Sequence, residues 1–206
     1  MCIKRLDLAI LVDGSSSIGN HRFRRCVDFV KKLISSFHVQ RRFVRVAVAL
    51  FSTQPHIIFN FKKYNNRISA IRMVSSRVRF LRGGTRTGLA LRKVARRVFN
   101  SRRRARRVLV VITNGRSQDK VTAAANYLKR NLGVKIIALG TGPKTNAYYL
   151  RQIASSRSHV FNIRGFRSLH SVVSKVKRKA CGKQRRYFRR KWILCCETLI
   201  CIPPPW

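Results

Sequence analysis

Short apolar runs alternate along the chain with longer stretches in which apolar residues recur every three or four positions. The short runs predict buried β-strands, because they are rich in Val, Ile, Leu and Phe and are bounded by polar segments. The predicted strands cover residues 6–13, 44–51, 56–59, 106–113, 134–139 and 159–163. Both faces of the fourth run are apolar, which predicts that it is a central strand.

The intervening stretches predict amphipathic α-helices. The first helix has one apolar face, formed by Phe23, Cys26, Val27, Val30, Leu33, Ile34 and Phe37. Further helices are predicted at residues 67–75, 88–99, 119–131 and 146–155, and the last carries the stripe Phe166, Leu169, Val172, Val173 and Val176. Strands that alternate with helices in this way are typical of an α/β fold, in which helices cover a parallel sheet.

The length and composition predict one domain followed by a tail. The chain has 206 residues, of which 45% are hydrophobic, enough for a single α/β domain with a full core. We place the domain at residues 1–182 and a basic tail that contains cysteines and prolines at residues 183–206. The tail is interpreted as a flexible end, as a nucleic-acid-binding segment with interleaved Arg and aromatic residues, or as a membrane-proximal segment with acylatable cysteines.

A polar cluster follows the first strand, where the sequence reads Asp13-Gly14-Ser15-Ser16-Ser17. Alternate side chains of an extended segment point the same way, so one carboxylate and two hydroxyls would converge at the carboxyl end of the strand. Such oxygen donors suit Mg²⁺ or a similar hard cation. The competing interpretation is a polar strand-to-helix turn with a serine cap.

This cluster resembles the metal-ion-dependent adhesion site (MIDAS), Asp-x-Ser-x-Ser, of von Willebrand factor type A domains. Two later segments match the same family in order and spacing. Residues 83–88, Gly-Gly-Thr-Arg-Thr-Gly, resemble its threonine loop, and residues 108–119 resemble the strand that ends in Thr-Asp-Gly-Arg-Ser-Gln-Asp in matrix members such as matrilins and type VI collagen. The resemblance covers roughly residues 4 to 181, and three ordered motifs make it specific.

The resemblance implies a doubly wound, mostly parallel six-stranded sheet with helices on both faces, in which the short third strand is the antiparallel edge. It also implies that the first and fourth strands are neighbours. Ligands of open α/β sheets bind at the carboxyl ends of strands, where the strand order reverses. Asp13 and Asn114 end these two strands, so we expect a binding site between them.

The cation site that the resemblance implies consists of Asp13, Ser15, Ser17, Thr85 and Asn114. Asn114 departs from the family, which has a second aspartate at this position. With Asp13 as the only charged ligand, a divalent cation keeps a net charge of about +1, and losing a carboxylate about 4–5 Å away removes roughly 3–4 kcal/mol of attraction at an effective dielectric constant of 20. The resemblance therefore implies Mg²⁺, Mn²⁺ or Ca²⁺ at a weakened site. Asp119 is a candidate substitute ligand, although in the family pattern it starts the next helix.

The resemblance implies a noncatalytic adhesion module of the extracellular matrix, in which the cation binds a carboxylate of a matrix or cell-surface protein. Some family members bind protein partners without a metal, and this alternative stays open. Catalysis is not predicted, because the five histidines are scattered and no Ser or Cys lies beside a base with an orienting carboxylate. The glycines of residues 83–84 also lack the Gly-Lys-Ser/Thr ending of a phosphate-binding loop.

The net charge adds a second class of partner. The chain has 47 Lys and Arg against 5 Asp and Glu, a formal net charge of +42. This charge opposes compaction at low salt and favours polyanions through counterion release. Glycosaminoglycans are therefore candidate partners, and nucleic acid should bind nonspecifically in vitro.

The densest arginine clusters are the candidate polyanion-binding residues. They are Arg102, Arg103, Arg104, Arg106 and Arg107, ahead of the fourth strand, and Arg185, Arg186, Arg189 and Arg190, in the tail. The first group should lie at the end of the sheet opposite Asp13. Two competing explanations remain: solvated surfaces with no selected partner, and a charge altered by design or by an unusual gene history.

The cysteines give three separate expectations. By the family resemblance, Cys2 and Cys181 form a terminal disulfide, which would contribute on the order of 4–5 kcal/mol. Cys26 lies on the apolar helix face and is predicted to be a buried thiol. The tail cysteines Cys195, Cys196 and Cys201 lack zinc-site spacing, which leaves interchain disulfides or free thiols.

The family resemblance favours an extracellular location. No secretory signal precedes the first strand, and no apolar run reaches the ~18–20 residues that span a bilayer. Because the matrix members of the family are secreted, we expect an extracellular domain excised from a longer precursor.

Overall fold

The computed structural model describes residues 5–100, 103–142, 145–163 and 166–181. This part of the chain contains a six-stranded sheet. Its strands are β1 (Leu6–Asp13), β2 (Val44–Phe51), β3 (Pro55–Phe59), β4 (Arg106–Thr113), β5 (Val134–Thr141) and β6 (Val160–Ile163). The order across the sheet is β3-β2-β1-β4-β5-β6, with β3 antiparallel to β2 and the other pairs parallel. The predicted doubly wound sheet with an antiparallel edge is confirmed.

Helices cover both faces of the sheet. They are α1 (Asn20–Ser35), α2 (Arg67–Arg77), α3 (Thr87–Arg97), α4 (Thr122–Asn126), α5 (Ala147–Ile153) and α6 (Phe166–Cys181). One core cluster packs α1, α2 and α6 on one face of the sheet, and a second packs α3 and α4 on the other. A π-helical turn (Tyr127–Asn131) continues α4, and a 3₁₀ turn (Arg157–His159) precedes β6.

The sequence places the strands more accurately than the helices. Strands β1, β2 and β4 begin and end as predicted, whereas β5 continues two residues further, to Thr141. The largest difference concerns the helix predicted at residues 119–131. It begins at Thr122 and becomes π-helical from Tyr127. The late start has a physical reason, because Asp119 binds the first turn of α3, as described below.

β1 is the centre of the fold. All eight of its residues are buried, and it pairs in parallel with β2 on one side and β4 on the other. From β1 the chain continues to β2 and then β3 on one side of the sheet. It then returns to the other side of β1, where β4, β5 and β6 follow in order. The reversal creates a crevice at the carboxyl ends of β1 and β4, where Asp13 and Asn114 lie.

A buried ion cluster lies at the opposite end of the sheet, where β1 begins. The carboxylate of Asp7, with its side chain 2% exposed, accepts two hydrogen bonds from Arg45, at 2.8 and 2.6 Å, and one from Arg103, at 3.0 Å. Arg103 also donates to the carbonyls of Arg42 and Phe43. A buried charge is tolerated only when it is paired and hydrogen-bonded, and Asp7 meets that condition.

The arginine run ahead of β4 lies at the predicted end of the sheet, since Leu6 of β1 pairs with Arg106. Besides Arg103, two of its members hydrogen-bond inside the domain. Arg106 donates to the carbonyl of Ala180 at 3.4 Å, and Arg107 donates to that of Leu132 at 3.0 Å. Arg104 is exposed. The run therefore stabilises the fold through these contacts, and its role in polyanion binding stays a prediction.

Several remaining expectations fall partly or wholly outside the described residues. Arg102, the tail with its arginines and cysteines, and Cys2 lie outside them. Cys181 ends α6 and is disulfide-bonded, while Cys26 is a free buried thiol as predicted. Burial raises the pKa of the Cys26 thiol to about 12. None of the described helices is both long enough and apolar enough to cross a bilayer.

We predict that Asp7→Asn destabilises the fold strongly, because it leaves two largely buried arginines without their carboxylate. Removing one partner of a buried ion cluster costs about 3–5 kcal/mol. Urea denaturation at neutral pH measures this loss. The control is Asp28→Asn, since Asp28 is half exposed and forms only a 3.5 Å ion pair with Lys31. A loss from Asp7→Asn no larger than that of the control would contradict the prediction.

Candidate functional site

The carboxylate of Asp13 lies at the base of the crevice between β1 and β4. The residue is 1% exposed. Its Oδ1 accepts a hydrogen bond from the backbone N–H of Ser15 at 2.9 Å, and its Oδ2 accepts one from Thr113 Oγ1 at 2.7 Å. Thr113 is the last residue of β4. The second bond therefore ties the carboxyl ends of the two central strands together.

Burial disfavours the ionised form of the Asp13 carboxyl group. Desolvation by burial raises the pKa of Asp13 above its usual range, and the hydrogen bonds from Ser15 and Thr113 oppose that rise. A carboxylate whose ionised form is this poorly solvated would gain from a nearby cation. This is one observation that fits a metal at this site.

Three hydroxyl groups converge beside Asp13. Ser15 Oγ lies 2.9 Å from Ser17 Oγ, which in turn lies 3.4 Å from Thr85 Oγ1. Ser15 and Thr85 are buried, whereas Ser17 is exposed and opens the cluster to solvent. The structure thus brings together the predicted residues from the first loop and the threonine loop. Hydroxyl and carboxylate oxygens are suitable ligands for a hard cation.

Asn114 joins the cluster in the wrong orientation for a metal ligand. Its Oδ1 accepts a hydrogen bond from the backbone N–H of Arg116 at 3.1 Å, and its Nδ2 donates to Ser17 Oγ at 2.8 Å. Amide orientation must be assigned from such partners. A backbone N–H can only donate, so the oxygen is fixed on Arg116 and the NH₂ group faces the hydroxyls. The donor set therefore fits a cation at Asp13, Ser15, Ser17 and Thr85, but not at Asn114.

Asp119 is not a substitute ligand. Its two oxygens accept hydrogen bonds from the backbone N–H groups of Gly88 and Leu89 at 2.8 and 2.7 Å. These are orphan donors in the first turn of α3, where Arg86 supplies no side-chain cap. Asp119 therefore caps α3 from a neighbouring loop, and this role keeps it out of α4.

The loop after β4 also positions the threonine loop. Gln118 Oε1 accepts from the backbone N–H of Thr85 at 3.1 Å, and Ser117 Oγ accepts from that of Thr87 at 3.1 Å. The approach is close enough to require glycine at Gly88, where an added Cβ would lie 2.3 Å from the carbonyl oxygen of Lys120. Residues 117–119 are thus part of the site, although they do not line the hydroxyl cluster.

Sequence reasoning missed the role of Thr113. Its Oγ1 donates to Asp13 and accepts from the backbone N–H of Gly115 at 3.2 Å, so one hydroxyl serves both loops. The available signal was a threonine at the end of an otherwise apolar buried strand. The described residues contain no cluster of three or more His, Cys, Asp or Glu side chains, so a cation at this site would depend mainly on hydroxyl groups.

The fold and the site define a class: an open α/β-sheet binding domain whose crevice carries hydroxyl and carboxylate oxygens. Comparison with known proteins identifies the family. The profile of the von Willebrand factor type A domain matches residues 7–175. The chain therefore belongs to this family.

The chain is similar to adhesion and matrix proteins. It is 33% identical over 187 residues to the transmembrane cell adhesion receptor mua-3 of Caenorhabditis elegans, covering 86% of this chain and 5% of that protein. It is 31% identical over 186 residues to mouse cochlin, covering 87% of this chain and 33% of cochlin. The chain thus spans at most a third of the length of these curated relatives. Such relatives are generally non-enzymatic.

A solved structure supports the same assignment. The proximal thread matrix protein 1 of the mussel byssus superposes with a TM-score of 0.79 at 25% identity, over 87% of this chain and 46% of that one. That structure has a zinc-occupied MIDAS motif. The fold and the family of this chain are therefore shown, while its function, its metal and its partner are matters for proposal.

We predict that Asp119→Ala destabilises the domain by about 1–2 kcal/mol, the usual loss for an N-terminal helix cap. The reason is that two N–H groups of α3 lose their acceptor. Thermal unfolding measures the loss. Asp28→Ala, which removes an equal charge but only a surface pair, should change stability by less than about 0.5 kcal/mol. Equal effects of the two variants would contradict the capping role.

We predict that Asp13→Asn makes the protein more stable at neutral pH in the presence of a chelator. The raised pKa means that protonation of Asp13 favours the folded state, so its contribution is present in acid and is lost as pH rises through that pKa. The advantage of Asp13→Asn should therefore shrink as pH falls from the raised pKa of folded Asp13 towards its ordinary value of about 4, and it should be absent below that value, where the carboxyl is neutral in both the folded and the unfolded protein. Melting temperatures at several pH values, in moderate salt, test this. An advantage that grew on acidification would contradict it.

Proposed function

We propose that this chain is a noncatalytic extracellular adhesion module that binds an acidic side chain of a matrix or cell-surface protein in the crevice between β1 and β4. A divalent cation, Mg²⁺, Mn²⁺ or Ca²⁺, assists this binding from a weakened site. The observation that carries the proposal is the convergence of three hydroxyls, from Ser15, Ser17 and Thr85, beside the buried carboxylate of Asp13.

The residues have distinct roles in this proposal. Ser15, Ser17 and Thr85 would hold the cation, and Asp13 would supply the compensating negative charge. When bound, the cation would offer a coordination position to a carboxylate oxygen of the partner. Exposure of Ser17 makes this cluster accessible from solvent.

Charges at the rim of the crevice favour an acidic partner. Arg86 and Arg116 each follow the site closely in sequence, both are exposed, and neither forms a side-chain hydrogen bond or ion pair within the described residues. Their positive potential attracts a carboxylate and disfavours a cation. Together with the Asn114 amide, these arginines would lower the affinity of the site for a cation. They therefore support direct binding of a protein partner without a metal as the main variant of the proposal.

We predict that calorimetric titration of Mg²⁺ or Mn²⁺ in moderate salt detects weak saturable binding by the parent protein. The Asn114→Asp variant should bind at least about 100-fold more tightly, because it restores a carboxylate near the cation. The matched control is Asn100→Asp, which adds the same charge at an exposed position away from the site.

The possible results separate the interpretations. Tight binding by Asn114→Asp alone would restrict this chain to the metal-free variant of the proposal. Absence of binding in both proteins would overturn the cation site. A gain of equal size in Asn100→Asp would show that general charge, and not the crevice, controls cation affinity.

Polyanion binding is a second candidate function. It is favoured by the net charge of +42, whose long-range field attracts sulfated or phosphorylated polymers. The buried ion pair of Arg103 with Asp7, at 3.0 Å, makes Arg103 a poor candidate for the binding surface.

A further inference from the structure

Four basic side chains gather where β4 and β5 begin and α6 ends. Arg106 and Lys135 lie at the starts of adjacent parallel strands, on the sheet face that α6 covers. Lys179 lies in the last turn of α6, and His159 precedes β6. We call Arg106, Lys135, Lys179 and His159 the basic cluster. It lies at the opposite end of the sheet from Asp13, about 25 Å away along β4.

The described acidic residues do not neutralise this cluster. Asp7 binds Arg45 and Arg103, Asp119 caps α3, Asp28 pairs with Lys31, and Asp13 lies at the other end of the sheet. The fifth acidic residue of the chain, Glu197, lies outside the described residues. The acceptors that do contact the cluster are neutral. Arg106 donates to the carbonyl of Ala180, and Lys179 donates to Ser158 Oγ at 3.0 Å.

Lys135 is the member that most needs an anion. Its side chain is half-buried, and its ammonium group donates no hydrogen bond to any described residue. A helix C-terminus attracts cations, which explains the contact of Arg106 with Ala180. It does not explain Lys135, whose ammonium group has no acceptor within the described part of the chain.

Burial and mutual repulsion both disfavour the charged forms of the side chains in the basic cluster. Burial, Arg106 and Lys179 lower the pKa of Lys135, and burial, Lys135 and Lys179 lower the pKa of His159. Cations that oppose one another's charge in this way would be stabilised by a shared anion. A sulfate group could accept hydrogen bonds from several of them at once.

Further donors extend the cluster along the surface. Ser156 and Ser158 are exposed and lie 3.0 Å apart through their hydroxyls. Arg157, between these two serines in the chain, is exposed, and so is Lys175, which lies one helical turn before Lys179 on the same face of α6. The surface thus offers several anion contacts, as a sulfated polymer requires.

We propose that the basic cluster of Arg106, Lys135, Lys179 and His159, with the adjacent Ser158, is a binding site for the sulfate groups of a sulfated polysaccharide. This inference deepens the second candidate function and does not depend on the cation site. The polysaccharide class is favoured over nucleic acid because relatives such as cochlin are secreted or extracellular-matrix proteins. Because the two sites lie at opposite ends of the sheet, a protein partner and a polysaccharide can bind together.

The test compares two double variants that each remove two positive charges. Lys135→Gln/Lys179→Gln alters the basic cluster, and Arg96→Gln/Arg97→Gln alters the exposed side of α3, on the other face of the sheet. The probe is a heparin-derived decasaccharide, titrated calorimetrically over a series of salt concentrations around about 150 mM NaCl. Thermal unfolding without the probe verifies that both variants fold.

The cluster variant should bind at least about tenfold more weakly than the parent, with the slope of log affinity against log salt reduced by about two. The α3 variant should remain within about twofold of the parent. Lys135→Arg/Lys179→Arg should retain binding, because it preserves both charges. Equal losses in the cluster and α3 variants would overturn the proposal in favour of a diffuse field.

A second arm tests the chemical class of the ligand. Duplex DNA of matched charge is titrated into the same proteins, and the cluster variant should weaken DNA binding no more than the α3 variant does. A selective loss of DNA binding as large as that of the decasaccharide would overturn the assignment to sulfated polysaccharide. Titration of Mg²⁺ into the cluster variant should match the parent, so failure here and failure of the cation site are distinguishable.

Discussion

The hydrogen bond from Thr113 to the buried carboxylate of Asp13 is the contact on which the crevice depends. A threonine hydroxyl can donate one hydrogen bond and accept another. Here it donates to Asp13 and accepts from the backbone of Gly115, so it couples the turn after β1 to the turn after β4. The first turn places Ser15 and Ser17, and the second places Asn114. A valine of similar shape would fill the same core space but would leave both turns unconnected.

The placement of its few carboxylates explains how so basic a chain can fold. Asp7 neutralises two largely buried arginines and Asp119 caps α3, and at neither position could a cation replace the carboxylate. Many of the surplus cations lie on exposed helix faces, such as Arg96 and Arg97 of α3, where water and salt screen them. The fold tolerates a large net charge because the repulsion falls mainly on exposed side chains.

The strands and the loop that contributes Ser15 and Ser17 to the hydroxyl cluster were predictable from sequence because both depend on local pattern. Runs such as residues 6–13 and 106–113 are apolar on both faces, and this pattern identifies central strands without tertiary information. The start of α4 was not predictable in the same way, because Asp119 accepts hydrogen bonds from the first turn of α3. These donors lie about thirty residues earlier in the chain, so the contact is not visible in the local sequence pattern. The use of Arg106 and Arg107 as internal donors was missed for the same reason. An arginine-rich run looks identical in sequence whether it faces solvent or carbonyl groups.

Asn114 shows how a site can lose a charge while its backbone geometry is preserved. The turn after β4 requires only an oxygen that accepts from the N–H of Arg116, and either aspartate or asparagine supplies it. The substitution therefore leaves the turn intact and changes the second atom, which becomes an NH₂ donor facing Ser17. That donor occupies one lone pair of the Ser17 hydroxyl, so fewer acceptor positions remain for a cation. With Asn114, the crevice has an amide donor in addition to the three hydroxyls and the arginines at its rim. An aspartate at this position would supply an acceptor in place of that donor. In the proposed function, these donors would favour a partner carboxylate directly, so the change of one atom would shift the balance from cation-assisted towards direct recognition of the same chemical group.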